Sequence, residues 1–117
     1  MTRTIVESKT KTAIIGFDEP FCVIGERINP TGRKILNEEL ERGDFPRVEA
    51  DALAQVAAGA SILDINSGAV FSNKMAEDPR YADNNFVEPT LMRQLIEVVQ
   101  AVTDCPLCID SSVPGAL

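Results

Sequence analysis

Polar residues recur at one kind of place in this chain: at or just beyond the end of a short apolar run. Glu26 and Asn29 follow Phe21-Cys22-Val23-Ile24, Asp64 and Asn66 lie in Ser61-Ile62-Leu63-Asp64-Ile65-Asn66, and Asp110 and Ser111 follow Leu107-Cys108-Ile109. A carboxylate beside an apolar interior must be paired or hydrogen-bonded, because desolvating a lone charge is costly. Asp110 is expected at the rim of such an interior. A bidentate contact to an amino-pyrimidinone ring, with its adjacent N–H donors, would satisfy it; capping a helix or pairing with a rim Arg is the alternative. Asn66 carries donor and acceptor, and either reads a ring edge or closes an Asx turn before Gly68. Asp64 alternates with Leu63 and Ile65, which favours a structural place inside the sheet. Glu26 either meets substrate or bridges to Arg27 or a neighbouring strand tip. Asn29-Pro30-Thr31-Gly32 is a turn on any account. Arg27, Arg33 and Lys34 form a basic cluster, which either meets an anionic tail or phosphate or stays in solvent.

Composition removes several chemistries. The 117 residues contain no His, the commonest general base and metal ligand. Triad hydrolysis and zinc-hydrolase chemistry are poor fits, and no bound metal is expected. The net charge of −7 argues against nucleic acid, which a basic face would bind. There is no G-x-G-x-x-G after the first apolar run and no Walker sequence. Cys105-Pro106-Leu107-Cys108 has C-x-x-C spacing, but it runs into an apolar strand rather than opening a helix, where a thiol would be activated. Buried or half-buried thiols are expected. Three Cys without an apolar leader point to a reducing, cytoplasmic setting. No apolar run approaches the roughly 18 residues of a membrane span.

These residues need elements to position them. Thr4-Ile5-Val6 and Ala13-Ile14-Ile15 read as a hairpin about Lys9-Thr10-Lys11, with a second turn at Gly16–Pro20. Such a hairpin, over residues 1–20, would plug the floor of a barrel. Phe21–Ile24 reads as a strand buried on both faces. Ile35–Glu41 reads as a short helix. Pro46 opens a second helix with a stripe of Val48, Ala52, Leu53, Val56 and Ala57, and Gly59 caps it. Ser61–Asn66 is the second strand. A long polar stretch, 69–86, holds Asn73, Asp78 and Asp83, and is functional or mobile. Glu88-Pro89-Thr90 opens a third helix with a stripe of Leu91, Leu95, Val98, Val99 and Val102, stopped by Asp104 and Pro106. Leu107–Asp110 is the third strand. Alternation of β and α implies a parallel sheet with right-handed crossovers. The polar tips then share one end, either a barrel mouth or the crevice of an open sheet.

Val23-Ile24-Gly25-Glu26-Arg27-Ile28-Asn29-Pro30-Thr31-Gly32 resembles the first strand and loop of the methyltetrahydrofolate:corrinoid methyltransferases, and is similar to the folate domain of cobalamin-dependent methionine synthase. Gly59–Asn66 resembles the second strand of these barrels and Leu107–Ser111 the third. Dihydropteroate synthase is a relative whose first loop usually reads Asn-x-Thr-Pro-Asp-Ser-Phe; Asn29-Pro30-Thr31-Gly32-Arg33 departs from it, which favours methyl transfer. The resemblance implies the N-terminal portion of a TIM-type (β/α)₈ barrel, three βα units with residues 21–117 following the hairpin. It implies 5-methyltetrahydrofolate as substrate, with the pterin held by Asp110, Asn66, Glu26 and Asn29. In the family the folate N5 gains positive character and cobalamin, carried by a corrinoid partner protein, takes the methyl group. The protein contributes positioning and hydrogen bonds more than a strong acid.

A full barrel of this type has eight strands and about 250 residues. The chain is therefore expected to be a truncated piece, a split product or a domain completed by another chain, inactive by itself. Two other functions remain open: a dihydropteroate synthase-like enzyme, and a non-catalytic fragment that self-associates through exposed strands.

Overall fold

A computed structural model describes residues 2–68, 84–111 and 116–117. The expected long polar stretch lies largely outside these residues, including Asn73, Asp78 and Asp83. So do Ser112–Gly115, where a further helix would begin.

The described chain is mixed α/β. Strands β1 (Thr4–Glu7) and β2 (Thr12–Ile15) form an antiparallel hairpin. Three further strands follow: β3 (Ile24–Ile28), β4 (Ile62–Ile65) and β5 (Leu107–Ile109). They form a parallel sheet in the order β3-β4-β5. Helices α1 (Lys34–Glu41) and α2 (Pro46–Ala57) connect β3 to β4, and α3 (Asn84–Val102) precedes β5.

The β-hairpin turns through Ser8 N–H donating to Lys11 O at 2.8 Å. Thr10 Oγ1 then donates to Asp104 at 2.9 Å, just past the end of α3. This places the hairpin turn beside the N-terminal entry to β5. Arg3 holds Asp18 at 2.9 Å, tying the second turn back to the hairpin.

Both first-crossover helices end in the same way. At α2 the Gly59 N–H donates to Val56 O and Ala60 N–H to Gln55 O, with Gly59 at φ 108°. At α1 the Gly43 N–H donates to Leu40 O and Asp44 N–H to Glu39 O, with Gly43 at φ 70°. These are Schellman closures, which require the left-handed backbone that glycine adopts without a Cβ penalty. Arg47 of α2 then grips Glu39 of α1 through Nε and Nη2 at 3.0–3.1 Å.

The core lies on the helical side of the sheet. It joins Ile28, Leu63 and Ile65 to Leu36, Leu40, Val48, Ala52, Leu91, Met92, Leu95 and Val99. Alternation along a strand puts residues 63, 65, 107 and 109 on this side and residues 62, 64, 108 and 110 on the other.

Several expectations are corrected. The run Phe21–Ile24 is not a strand buried on both faces: Phe21 is 93% exposed and Ile24 42%, and β3 begins at Ile24. Ladder contact starts only at Val23 O, which accepts from Ser61 N, so the apolar run precedes the sheet instead of filling it. In consequence Glu26 lies within β3, not beyond it. Leu53 is half exposed and Gln55 is buried in its place. Helix α3 starts at Asn84, so Pro89 lies inside it instead of opening it. Cys108 is exposed rather than half-buried, while Cys105 is buried.

Candidate functional site

The parallel register brings residues of different strands level. Asp64 of β4 pairs with Cys108 of β5, and Ile65 with Ile109. Asp64 is 8% exposed, and its carboxylate lies close enough to the Cys108 thiol for each to shift the other's titration. Glu26 and Asp110 lie close enough for their charges to act on both. Glu26, Asp64, Cys108 and Asp110 thus gather on the sheet face away from the helices.

Electrostatics follow from that crowding. Desolvation pushes the Asp64 carboxyl above its ordinary value; the neighbouring Asp110 and Glu26 add to the rise, and the Cys108 thiol works against it. The Cys108 thiol is also pushed up, first by local desolvation although the residue as a whole is exposed, then by Asp64 and by the surrounding carboxylates. Both groups are therefore biased toward holding a proton. This is the reverse of an activated thiolate.

Asp110 closes the ladder: its N–H donates to Ile65 O at 3.0 Å. The expectation of a rim beside a dry interior is not met around it, because Asp110 is exposed. Its carboxylate faces solvent beside a more buried one.

The asparagines are partly committed. Asn66 Oδ1 accepts from Gly68 N–H at 2.8 Å, and Asn29 Oδ1 from Thr31 N–H at 2.9 Å. Both are Asx turns at strand ends. The side-chain NH₂ of each remains as the group able to meet a ligand acceptor. Asn66 follows β4 directly, and its own N–H donates to Ile28 O at 2.9 Å, which ties the exits of β3 and β4 together.

The basic cluster turns away from this face. Asp51 of α2 takes Arg33 Nη1 at 2.8 Å and Arg27 Nε at 3.6 Å. The two arginines thus share one carboxylate, which offsets one of the cluster's three charges, and Lys34 is exposed.

Two polar residues here had no sequence signal strong enough to single them out. Gln55 lies on the core stripe of α2, and its Oε1 accepts the Arg27 N–H at 2.9 Å where the β3–β4 register shifts between Gly25 and Ile28. Glu88 is buried on α3 and accepts a hydrogen bond from the Ser111 hydroxyl. The sequence places it only at the opening of the helix, with Pro89 and Thr90.

Among the described residues, no group of three or more His, Cys, Asp or Glu side chains is arranged to hold a metal ion. No described helix is long and apolar enough to cross a membrane. The chain matches no model of a known protein family and no curated protein.

Proposed function

We propose that the strand-tip cluster binds the ring of a reduced pterin, and that the chain forms the pterin-holding part of a barrel enzyme that moves a methyl group from 5-methyltetrahydrofolate to a corrinoid protein. One observation carries the reading. Glu26 and Asp64 of adjacent parallel strands, and Asp110 directly after the third, stand toward the C-terminal end of the sheet, where the charges of Glu26 and Asp110 act on Asp64. That end is where ligand sites form in parallel α/β folds.

The division of labour follows from the environments. Asp110 is exposed and is the group suited to accept two adjacent N–H donors of an amino-pyrimidinone ring. Asp64 is the more buried carboxylate beside it, and desolvation pushes its carboxyl above the ordinary value. Asn66 presents its free amide NH₂ to a ring carbonyl, its oxygen being held by Gly68. Asn29 and Glu26 flank the same end. The residues named do no acid catalysis on this account; they orient the ring so that its methyl group points toward the incoming partner. The corrinoid, carried by that partner, accepts the methyl group.

Calorimetric titration of the chain with 5-methyltetrahydrofolate tests the reading. Saturable binding is expected, weakened about tenfold or more by Asp110→Asn, in line with loss of a charged hydrogen-bond acceptor. Equal affinity of the wild type and Asp110→Asn, or no binding at all, would sink it.

A further inference from the structure

The carboxylate most removed from water among the described residues is on none of the strands. Glu88, on α3, is 1% exposed. The crossover from β4 to β5 runs back along the sheet, so the first turns of α3 lie beside the strand exits, level with Asn66 and Asp110. Three features converge there. The Ser111 hydroxyl, directly after Asp110, donates to Glu88 Oε1. The same oxygen lies 3.7 Å from where a Cβ on Gly68 would stand, so it abuts the turn that follows β4. Ser67 Oγ, beside that turn, is wholly buried and without a hydrogen-bond partner.

A carboxylate kept from water needs donors from its surroundings, and a hydroxyl–carboxylate bond is among the stronger hydrogen bonds. We infer that Glu88 is a positioning residue: it pins the exits of β5 and β4 to α3, through Ser111 and against Gly68, and so sets Asp110 and Asn66 at the spacing their ligand requires. Asp110 is then held on both sides, by the ladder bond to Ile65 O at 3.0 Å and by the pinned Ser111 one residue on. The turn at Gly68 is held by Asn66 Oδ1, and a Cβ there would stand 3.2 Å from that oxygen and press it toward its neighbours. The identity of the ligand rests on the pterin reading above; the pin does not.

The test compares Ser111→Ala, Glu88→Ala, Glu88→Gln and the double alanine variant of the full chain. It uses 5-methyltetrahydrofolate affinity, amide hydrogen exchange at Asp110 and Gly68, and the thermal midpoint. Ser111→Ala should lower affinity about tenfold and speed Asp110 exchange by a similar factor, with a lower midpoint because buried Glu88 loses a donor, and with α2 exchange changed far less than exchange at Asp110. Glu88→Gln, which keeps an acceptor oxygen, should retain most of the affinity. The double variant should lose less than the sum of the two single losses, because either single change already breaks the bond between Ser111 and Glu88. Unchanged affinity and exchange in Ser111→Ala, or additive losses in the double variant, would overturn the inference. Should Glu88→Ala fail to fold, Ser111→Ala still decides. Should the wild type bind no pterin, the functional reading fails while the exchange at Asp110 continues to judge the pin.

Discussion

Asp64 and Cys108 pair across the β4–β5 ladder; Asp64 helps to keep the proton on the Cys108 thiol, while Cys108 works against protonation of Asp64. For Asp64 the sign is set by desolvation, which raises the folded-state value above the ordinary 3.8. The folded protein then binds the proton more tightly than the unfolded chain. Its contribution to stability is fully present below the ordinary carboxylate range and is lost as pH rises through the raised value. Chemical denaturation at a series of pH values from about 3 upward should show this decline, and Asp64→Asn should flatten it; an equal slope in both proteins would remove Asp64 as the cause. The same contact makes a prediction about the thiol. Cys108 is exposed yet should alkylate more slowly at mildly alkaline pH than an ordinary free cysteine, since its thiolate is disfavoured. Asp64→Asn should speed the reaction severalfold, as one of its causes is removed; an unchanged rate would show that desolvation alone governs it. Legibility at this scale was uneven. The strand-tip position of Asp64, Asn66 and Asp110 follows from apolar runs ending in polar residues. The proximity of Glu26 to Asp64, and the burial of Glu88, depend on register and helix packing between residues more than 20 apart, which periodicity does not encode.

Gln55 is the clearest case of an element shaped by its neighbour. Helix α2 carries it on the core side, where an apolar residue would be expected. The register of β3 against β4 shifts between Gly25 and Ile28. Gln55 Oε1 takes the Arg27 N–H there, while Nε2 returns to Asp51 O at 3.1 Å. A Cβ at Gly25 would stand 2.5 Å from that same oxygen and 2.9 Å from Cδ, so only glycine admits the amide. Gln55→Leu is expected to cost about 1–2 kcal/mol, the scale of a part-buried donor left without its acceptor. Gly25→Ala should cost at least as much by driving Gln55 from the strand. Urea unfolding of both variants checks this; wild-type midpoints would show that water replaces the amide freely. Most elements were legible because their signals are local: alternation in β1 and β2, Pro46 at the start of α2, Gly59 after its end. The start of α3 was misplaced because Pro at a first turn is the commoner pattern, whereas here the helix begins five residues earlier, at Asn84. Leu53 was assigned to the core by its spacing, yet a stripe centred on Val48, Ala52 and Gln55 leaves it outside.

Taken whole, the described molecule is a three-stranded parallel sheet with helices on one face and a hairpin at one end. In the order β3-β4-β5, the outer edges of β3 and β5 have no strand beside them among the described residues. At the entry to β3, Phe21, Val23 and Ile24 are exposed. An open edge flanked by apolar side chains is a template for pairing with another chain. The net charge of −7 opposes such pairing through repulsion between copies. That repulsion is long-ranged only at low ionic strength, since the screening length falls from about 30 Å at 0.01 M salt to about 3 Å at 1 M. The apolar contact does not weaken with salt. Self-association should therefore rise with ionic strength, the opposite of an assembly held by ion pairs. Sedimentation of the chain at about 0.01 M and 1 M salt measures it, with Ile24→Lys expected to shift the high-salt distribution toward monomer by placing a charge on the open edge. A chain that stays monomeric at both salts, or an Ile24→Lys variant that associates as the wild type does, would mean that the exposed apolar residues beside β3 are not the attracting surface.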